Sequence, residues 1–390
     1  INCQPASSCT TTQNAALTGN PRQITVQNKG VNSATHVSVS TVGLPIGTRI
    51  SDNTCKGTLN PGGSCLITLT PGAVASSDIK GIACTSGTPA AGGKVIITAD
   101  GGLSTQVSAY VLSYGCQFQG GFIYSVDDTT PNNASIGGKV VTLADQAPPS
   151  LNSGPQANSI IWSSNGTPSK VSFDEIPGID ERSASVNQSP DYNEFSLYFM
   201  STYTNNPVQP SQDVFKACNA SSDGSCNTNN ILAFYNTWLT KYSISCDPNH
   251  GGGGKCTAEI APPATPLTNY AAGLCRTTIN GYDDWYLPAI CEMDAVSGGL
   301  VCIPSNTQSM VINLSFLLGD SGSPTPRTSC TPPKGTDCLA GSYWSSTEAF
   351  FDASGNAWFE AFMKGAGSSL QIPIDKDSPL GVRCTRALTP

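Results

Sequence analysis

Histidine is almost missing from this chain of 390 residues: His36 and His250 are the only two. A Ser/His/Asp or Cys/His centre needs an imidazole beside its nucleophile. His36 falls in an expected strand and His250 in a glycine-rich loop, both remote from the motif-bearing runs, so neither is read as catalytic. Zinc sites draw on Cys-x-x-Cys or paired histidines, and the chain has neither spacing. Charge is scarce as well: Asp, Glu, Lys and Arg make up 12% of the residues, acids outnumber bases by 27 to 19, and the formal net charge is -8. With no basic stripe to track a phosphate backbone, nucleic acid is excluded as a partner. The glycine run at 251–254 lacks the Lys-Ser/Thr of a phosphate loop, and no dinucleotide fingerprint is present. No apolar run is long enough for a transmembrane segment. The opening Ile1-Asn2-Cys3 lacks a charged n-region and an apolar h-region, and the expectation is a secreted, extracellular protein whose signal peptide has been removed.

Cysteine, by contrast, is plentiful. Sixteen are spread along the chain, which fits an oxidising compartment where thiols pair. Cys55 with Cys65, Cys218 with Cys226, Cys246 with Cys256 and Cys330 with Cys338 are reasonable local closures, while the full connectivity stays open. Asn-x-Ser/Thr sequons stand at Asn133, Asn165, Asn187, Asn219 and Asn313; a chain this rich in Asn, Ser and Thr produces them by chance.

The length suits two or three domains. Residues 1–115 read as an all-β sandwich. The runs 23–27, 37–39, 65–69, 94–98 and 105–114 are short and β-branched, and Asn-Lys-Gly, Pro-Gly-Gly and Asp-Gly-Gly punctuate them. About seven strands in this length is the count of an immunoglobulin-like domain. Residues 116–390 read as a loop-rich α+β domain. It opens with a hairpin of 120–126 and 139–143, followed by a long irregular stretch over 145–210. A helix is expected from Thr228 to Tyr242, with Ile231, Phe234, Tyr235, Trp238 and Tyr242 on one face and Asn227 or Thr228 as its cap. Shorter helices are expected from Thr268 to Arg276 and opening at Pro288.

Two resemblances follow from particular residues. Asn28-Lys29-Gly30 and the loop from Cys55 through Pro61-Gly62-Gly63 to Cys65 resemble bacterial surface immunoglobulin-like modules over about 20–112. Further on come Gly120-Gly121-Phe122-Ile123-Tyr124, Asn227-Thr228, Ala271-Ala272 with Cys275, and Asp284-Trp285-Tyr286-Leu287-Pro288 with Glu292-Met293. Tyr343-Trp344-Ser345-Ser346-Thr347-Glu348, Ala357-Trp358 and Val382-Arg383 complete the series. In this order they resemble the C-terminal domain family of the Legionella collagen-like adhesin, over about 116–388. The resemblance implies a C-type-lectin-like fold related to formylglycine-generating enzymes, type II secretion, and a role in virulence through a host glycan or host surface protein. The adhesin itself binds sulfated polysaccharides. This chain departs from the family in having Ala289 where relatives usually have Ser, and in lacking the collagen-like repeat.

Physical reading favours scaffolding for most of these residues. Trp285, Trp344 and Trp358 are large apolar bodies with one donor each, Pro288 opens a helix, and Arg383 is a natural partner for a carboxylate. Asp284 and Glu348 can accept backbone hydrogen bonds or pair with Arg383 or Arg386; alternatively Asp283, Asp284 and Glu348 line a shared ligand pocket. Calcium is a possible cofactor, with Asp375 and Asp377 or Asp283 and Asp284 as oxygen donors. Residues 116–390 hold 24 acidic against 13 basic residues and residues 1–115 hold 3 against 6, so the C-terminal part is a poor trap for polysulfated chains. The expected function is a non-catalytic binding protein. The enzymatic alternative is an oxidase of the formylglycine-generating type using cysteines among Cys275, Cys291, Cys302 and Cys384, and the structural alternative is a component of an extracellular surface assembly.

Overall fold

The β-branched runs become strands at the expected places, and the glycines between them supply the turns. This computed structural model describes residues 1, 18–77, 84, 89–133, 135–149, 158–162, 176, 178–180, 215–216, 218–237, 267–295, 302, 308–318, 339–353, 355–362, 369–376 and 378–389. They divide into Ile1–Val140 with Ala387–Pro390, and Val141–Arg386. The protein is β-rich with few helices and is stapled by disulfides.

In the first unit, β1 (Arg22–Gln27), β5 (Ser64–Thr70) and β3 (Arg49–Asn53) form one antiparallel sheet in the order β1-β5-β3. A second sheet has the order β4-β2-β6-β7, from β4 (Gly57–Leu59), β2 (Ala34–Val42), β6 (Gly93–Ala99) and β7 (Leu103–Ala109). Alternation along β5 and β6 sends Cys65, Ile67, Leu69, Val95 and Ile97 to one shared core with Val37, Cys55 and Ala109, the period of two expected when one face of a strand is buried. The Cys55–Cys65 disulfide staples that core.

The strands after Cys116, β8 (Gln117–Phe118) and β9 (Gly121–Asp127), belong with this unit, and the division falls after the first residues of β10 (Gly137–Thr142) rather than at 115/116. The cause is a set of bonds reaching back from this segment. Cys116 is bonded to Cys84, Gln117 bridges to Pro89, and Arg22 on β1 reaches the turn after β9. There its guanidinium meets Asp128 Oδ1 at 2.5 Å and donates to the carbonyls of Thr130 and Pro131, with both charged side chains buried. Cys116 therefore links parts of one unit and does not bridge two.

Among the described residues, the α-helices all lie in the second unit. Helix α1 spans Gly224–Thr237, starting four residues before the expected position because Asp223, not Asn227 or Thr228, is its cap; Asp223 Oδ1 accepts the Cys226 N–H at 2.9 Å. Glycine is required at 224, since a Cβ there would lie within 2.6 Å of Ala289 N, Leu287 O and Glu292 Oε2. Ile231 and Phe234 are buried as expected; Trp238 and Tyr242 lie outside the described residues. Over 268–276 the expected helix is split into a 3-10 turn, Leu267–Asn269, and a single α turn α2 (Ala271–Leu274). The helix after Pro288 is the short α3 (Ile290–Met293), and an unexpected helix, α4, covers Met310–Leu318. An antiparallel sheet runs β11 (Gly341–Glu348), β12 (Asn356–Phe362), β13 (Ser369–Asp375), with β12 central. The last strand, β14, is Thr385–Ala387.

Two of the four local cystines expected from spacing are present, Cys55–Cys65 and Cys218–Cys226; the other two lie outside the described residues. Cys275–Cys384 closes a separation of 109 residues, against 10 for Cys55–Cys65. Loop-closure entropy then assigns about 4.8 kcal/mol to the long link and about 2.7 kcal/mol to the short one. Replacing Cys275 and Cys384 together by Ala is expected to lower stability in denaturant melts more than replacing Cys55 and Cys65. Equal or reversed losses would show that the long loop is already constrained in the unfolded chain.

Candidate functional site

The run from Ile279 to Pro288 begins with a tight hairpin turn. Ile279 and Tyr282 bridge each other, and Asn280 and Gly281 between them have φ of 51° and 83°, the left-handed pair that makes Asn-Gly a hairpin signal. This turn sets the Tyr282 ring 4.0 Å from the Arg386 guanidinium carbon. Arg386, itself buried, holds Asp284 with two bonds, Nε to Oδ1 at 2.5 Å and Nη2 to Oδ2 at 2.8 Å, which keeps the Asp284 carboxyl below its ordinary range. Trp285 is fully buried and donates its indole N–H to Ile279 O at 3.0 Å.

The run then passes through polar side chains that replace missing regular structure. The Leu287 N–H donates to Thr228 Oγ1 (3.0 Å), and the Tyr286 hydroxyl to Glu292 Oε1 (3.0 Å). Pro288 O accepts the N–H of Ser346 on β11 (2.8 Å). Ala289 offers no hydroxyl to helix α3; Glu292 Oε2 accepts its N–H (2.8 Å), and Thr347 Oγ1 reaches across from β11 to accept the Ile290 N–H (3.1 Å). Asn227, read as a cap, instead sits in the interior and donates to Ala220 O (2.7 Å) and Ser346 Oγ (3.1 Å). Trp344 and Trp162 are locked reciprocally: Trp344 Nε1 donates to Ile160 O and Trp162 Nε1 to Ser345 O.

Glu348 does not pair with Arg383 or Arg386. Its partner is Lys376, Nζ to Oε1 2.5 Å, and neither side chain has exposed surface. Glu348 also accepts the Ile176 N–H, while Lys376 donates to Ala353 O and lies 4.5 Å from the Trp162 ring centre. Asp283 and Asp284, in contrast, are exposed, so the three acids do not line one open pocket. Arg383 is buried, donates to Thr142 O and stacks over Tyr343. Beside it, burial raises the Asp145 carboxyl to about 6 against the pull of Arg383. Half-buried Trp358 receives the Ser345 hydroxyl on its carbonyl. Asp375 ends β13 and its carbonyl accepts the Ser378 N–H; Asp377 lies outside the described residues. Among the described residues no three His, Cys, Asp or Glu side chains come close enough to hold a metal. His36 is exposed and meets Asp100 at 2.6 Å; His250 lies outside the described residues.

Two features were not found from sequence. Glu360, in the middle of β12, is wholly buried, with the Gln371 and Ser369 side chains and the Leu370 N–H as the donors about its carboxyl. Burial and then the charge of Asp294 push its carboxyl up to about 9. The signal was a lone acid in the apolar run Ala357-Trp358-Phe359-Glu360-Ala361-Phe362. The second feature is Phe350 and Phe351, 40% and 58% exposed on the 3-10 turn that follows Glu348, with ring centres 5.6 Å apart in an edge-to-face pair. In the first unit an open groove of about 490 Å³ lies beside β1 and β7, lined by Ile24, Val107, Tyr110 and Phe118 among others.

No family model matches the chain, and no curated protein matches it. Among solved structures, the secreted serine protease VesC from Vibrio cholerae aligns at 15% identity over 31% of this chain and 29% of that chain, with a TM-score of 0.18. A likeness of that size carries no argument about fold or activity.

Removing Lys376 leaves a buried carboxylate without its cation, a loss of about 3 to 5 kcal/mol for pairs of this kind. Lys376→Met is expected to destabilise the protein by that amount in denaturant melts, and Lys376→Met with Glu348→Leu to recover part of it. Additive losses in the double variant would show that the two charges do not act as a pair.

Glu360 gives a pH dependence of definite sign. Its folded pKa of about 9 lies above the ordinary 4.5, so the folded state keeps a proton that the unfolded state releases. The contribution is complete below about 4.5 and is lost as pH rises towards 9, with a slope of up to about 1.4 kcal/mol per pH unit. Glu360→Gln, which carries no titrating charge, is expected to flatten the fall in stability between pH 5 and pH 9. An unchanged slope would place the source of the pH dependence elsewhere.

Proposed function

We propose that this chain is a secreted, non-catalytic bacterial binding protein: an immunoglobulin-like N-terminal module joined to a lectin-like C-terminal domain of the collagen-like-adhesin type, engaging a glycan on a host surface. The observation that carries the binding reading is the exposed pair Phe350 and Phe351. Two large aromatic rings held at the surface are costly in water and are the usual contact groups of a recognition site. Aromatic faces stack on the apolar faces of sugar rings, and the acidic balance of residues 116–390 favours neutral over polysulfated chains. The motif acids Glu348 and Asp284 are engaged by Lys376 and Arg386, arrangements that hold a scaffold.

The oxidase reading has less support, because Cys275, Cys291, Cys302 and Cys384 are paired as Cys275–Cys384 and Cys291–Cys302, and a redox-active thiol would have to come from opening one of them. A part in a surface assembly rests on β7, the edge of its sheet, exposed along nearly its whole length including Leu103 and Val107; exposed edges invite a further strand. Self-association at micromolar concentration would favour that role.

The test is binding of the full-length protein to a glycan panel that includes sulfated polysaccharides, at two salt concentrations. Saturable binding to neutral glycans with little salt response is expected. The Phe350→Ala, Phe351→Ala double variant is expected to weaken it at least about tenfold while shifting stability by no more than about 0.5 kcal/mol per residue. Binding unchanged in the double variant would remove the aromatic pair as the site, and a blank panel would turn the search to protein partners.

A further inference from the structure

The two sheets of the first unit end in the strands β1, β3, β4 and β7, and three of these edges are guarded. Along β1, the Gln23 N–H donates to Asn132 O at 2.6 Å, and Arg22 binds the turn from Asp128 to Pro131. Strand β3 carries Arg49 and Asp52 and shifts register between Ile50 and Asp52. Strand β4 is three residues long. Charge, irregular register and shortness each discourage a further strand. β7 has none of these devices. It pairs with β6 through all seven residues from Leu103 to Ala109 without a register shift. It contains neither proline nor charge, and its other side meets no strand among the described residues.

The face that β7 turns to the core is open as well. Side chains alternate along a strand, so Leu103, Thr105, Val107 and Ala109 share a face. Ala109 lies in the core, yet Leu103 and Val107 are exposed. Besides the groove at Ile24 and Val107, a second groove of about 190 Å³ lies between Val26 and Gln27 of β1 and Leu103 and Thr105 of β7. The opening therefore follows both strands along their length. We propose that the β7 edge is the two-fold interface of a homodimer, in which β7 pairs antiparallel with β7 of a second copy about Gln106. Gln106 is the midpoint of the strand, so this register pairs all seven residues: Leu103 with Ala109, Ser104 with Ser108 and Thr105 with Val107 of the other copy. A two-fold contact sets a residue at the axis against itself, and like charges directly opposite destabilise a strand pair. β7, without charge, meets that requirement. Its surroundings are self-complementary: Asp100 stands in the turn before Leu103, and Lys94 is the β6 partner of Ser108. Antiparallel pairing sets the acidic end of one strand beside the basic end of the other. Leu103 and Val107 of the second copy continue the same face and cover the opening along β1. The contact closes on itself and does not propagate, because the far edge of that sheet is the short β4. Seven residues a side, against about 20–30 in a standard interface, make the dimer weak and reversible. It forms independently of what the second unit binds.

The test is analytical ultracentrifugation of the full-length protein, without glycan, from about 1 to about 300 µM. A reversible monomer–dimer equilibrium with a Kd of about 10 to 100 µM is expected. Gln106 is exposed, so Gln106→Lys and Gln106→Glu are expected to keep the parent's melting midpoint. Each alone sets like charges across the axis and should weaken the dimer at least about fivefold. Mixed in equal amounts, the two variants set opposite charges across the axis and should recover dimerisation. The Phe350→Ala, Phe351→Ala variant is expected to dimerise as the parent does. A protein that stays monomeric over the whole range would overturn the interface and leave the glycan reading untouched. Dimerisation unchanged in both Gln106 variants, or lost with the aromatic pair, would overturn it by placing the contact elsewhere. Two weakened variants that do not recover on mixing would overturn the pairing of β7 with itself.

Discussion

Lys376 and Glu348 meet at 2.5 Å with no exposed surface on either, and segments with little regular structure of their own are organised around that contact. Glu348 ends β11 and accepts the N–H of Ile176, while its own N–H donates to Ile179 O. Lys376 follows β13; its ammonium donates to Ala353 O, its N–H to Gly355 O, and its carbonyl accepts the N–H of Trp162. Four stretches that sequence separates widely are thus joined by two side chains and their adjoining backbone. A buried pair of this kind contributes little beyond what well-packed apolar residues would, because both charges have left water, but the loss of one partner is severe. What it fixes is geometry.

The same logic extends through the second unit. Where helices are single turns and loops run between them, backbone groups lose the partners that long elements would give them, and buried ones must find others. Short polar side chains meet that need. Thr228 serves Leu287, Glu292 serves Ala289, and Thr347 serves both Ile290 and Ala220. Tryptophan adds bulk and one directed donor, as Trp162, Trp285 and Trp344 each show. A domain built this way tolerates long insertions between its fixed points, since closing a longer loop costs little more than closing a short one. It is correspondingly sensitive at the polar residues of the interior.

How much of this could be read from sequence depended on whether the controlling partner was local. The strands of the first unit were legible because β-branched alternation and Gly-rich turns are local signals, and the pairing of Cys55 with Cys65 followed from short spacing. Trp285, Trp344 and Arg383, singled out in the sequence for their size and donors, are buried, whereas Trp358, grouped with them, is half-buried. Helix α1 was placed too late because Asn227 and Thr228 resemble caps; both face the interior, where their partners Ser346 and Leu287 lie more than fifty residues away. Glu348 was read in two ways, as an acceptor or partner of Arg383 or Arg386 and as a pocket acid beside Asp283 and Asp284; its cation is Lys376, which nothing local in the sequence marks. The extent of the first unit depended on Arg22 and Asp128, again distant in sequence.

The buried pair also fixes the turn that carries the exposed rings of Phe350 and Phe351. Phe350 and Phe351 lie on the turn between Glu348 and Ala353, and that turn is held at both ends: Glu348 by Lys376, and Ala353 and Gly355 by bonds from Lys376 itself. Asp352 tightens the far side by accepting from Gly355 N and Asn356 Nδ2. Exposed aromatic rings on a loose loop would have to be ordered at the moment of binding, with the loss of side-chain and backbone freedom set against each contact. On a turn fixed from beneath, much of that ordering is complete before a ligand arrives. On the proposed reading, the charges in the interior would serve recognition without touching a ligand, because they set the position of the two rings.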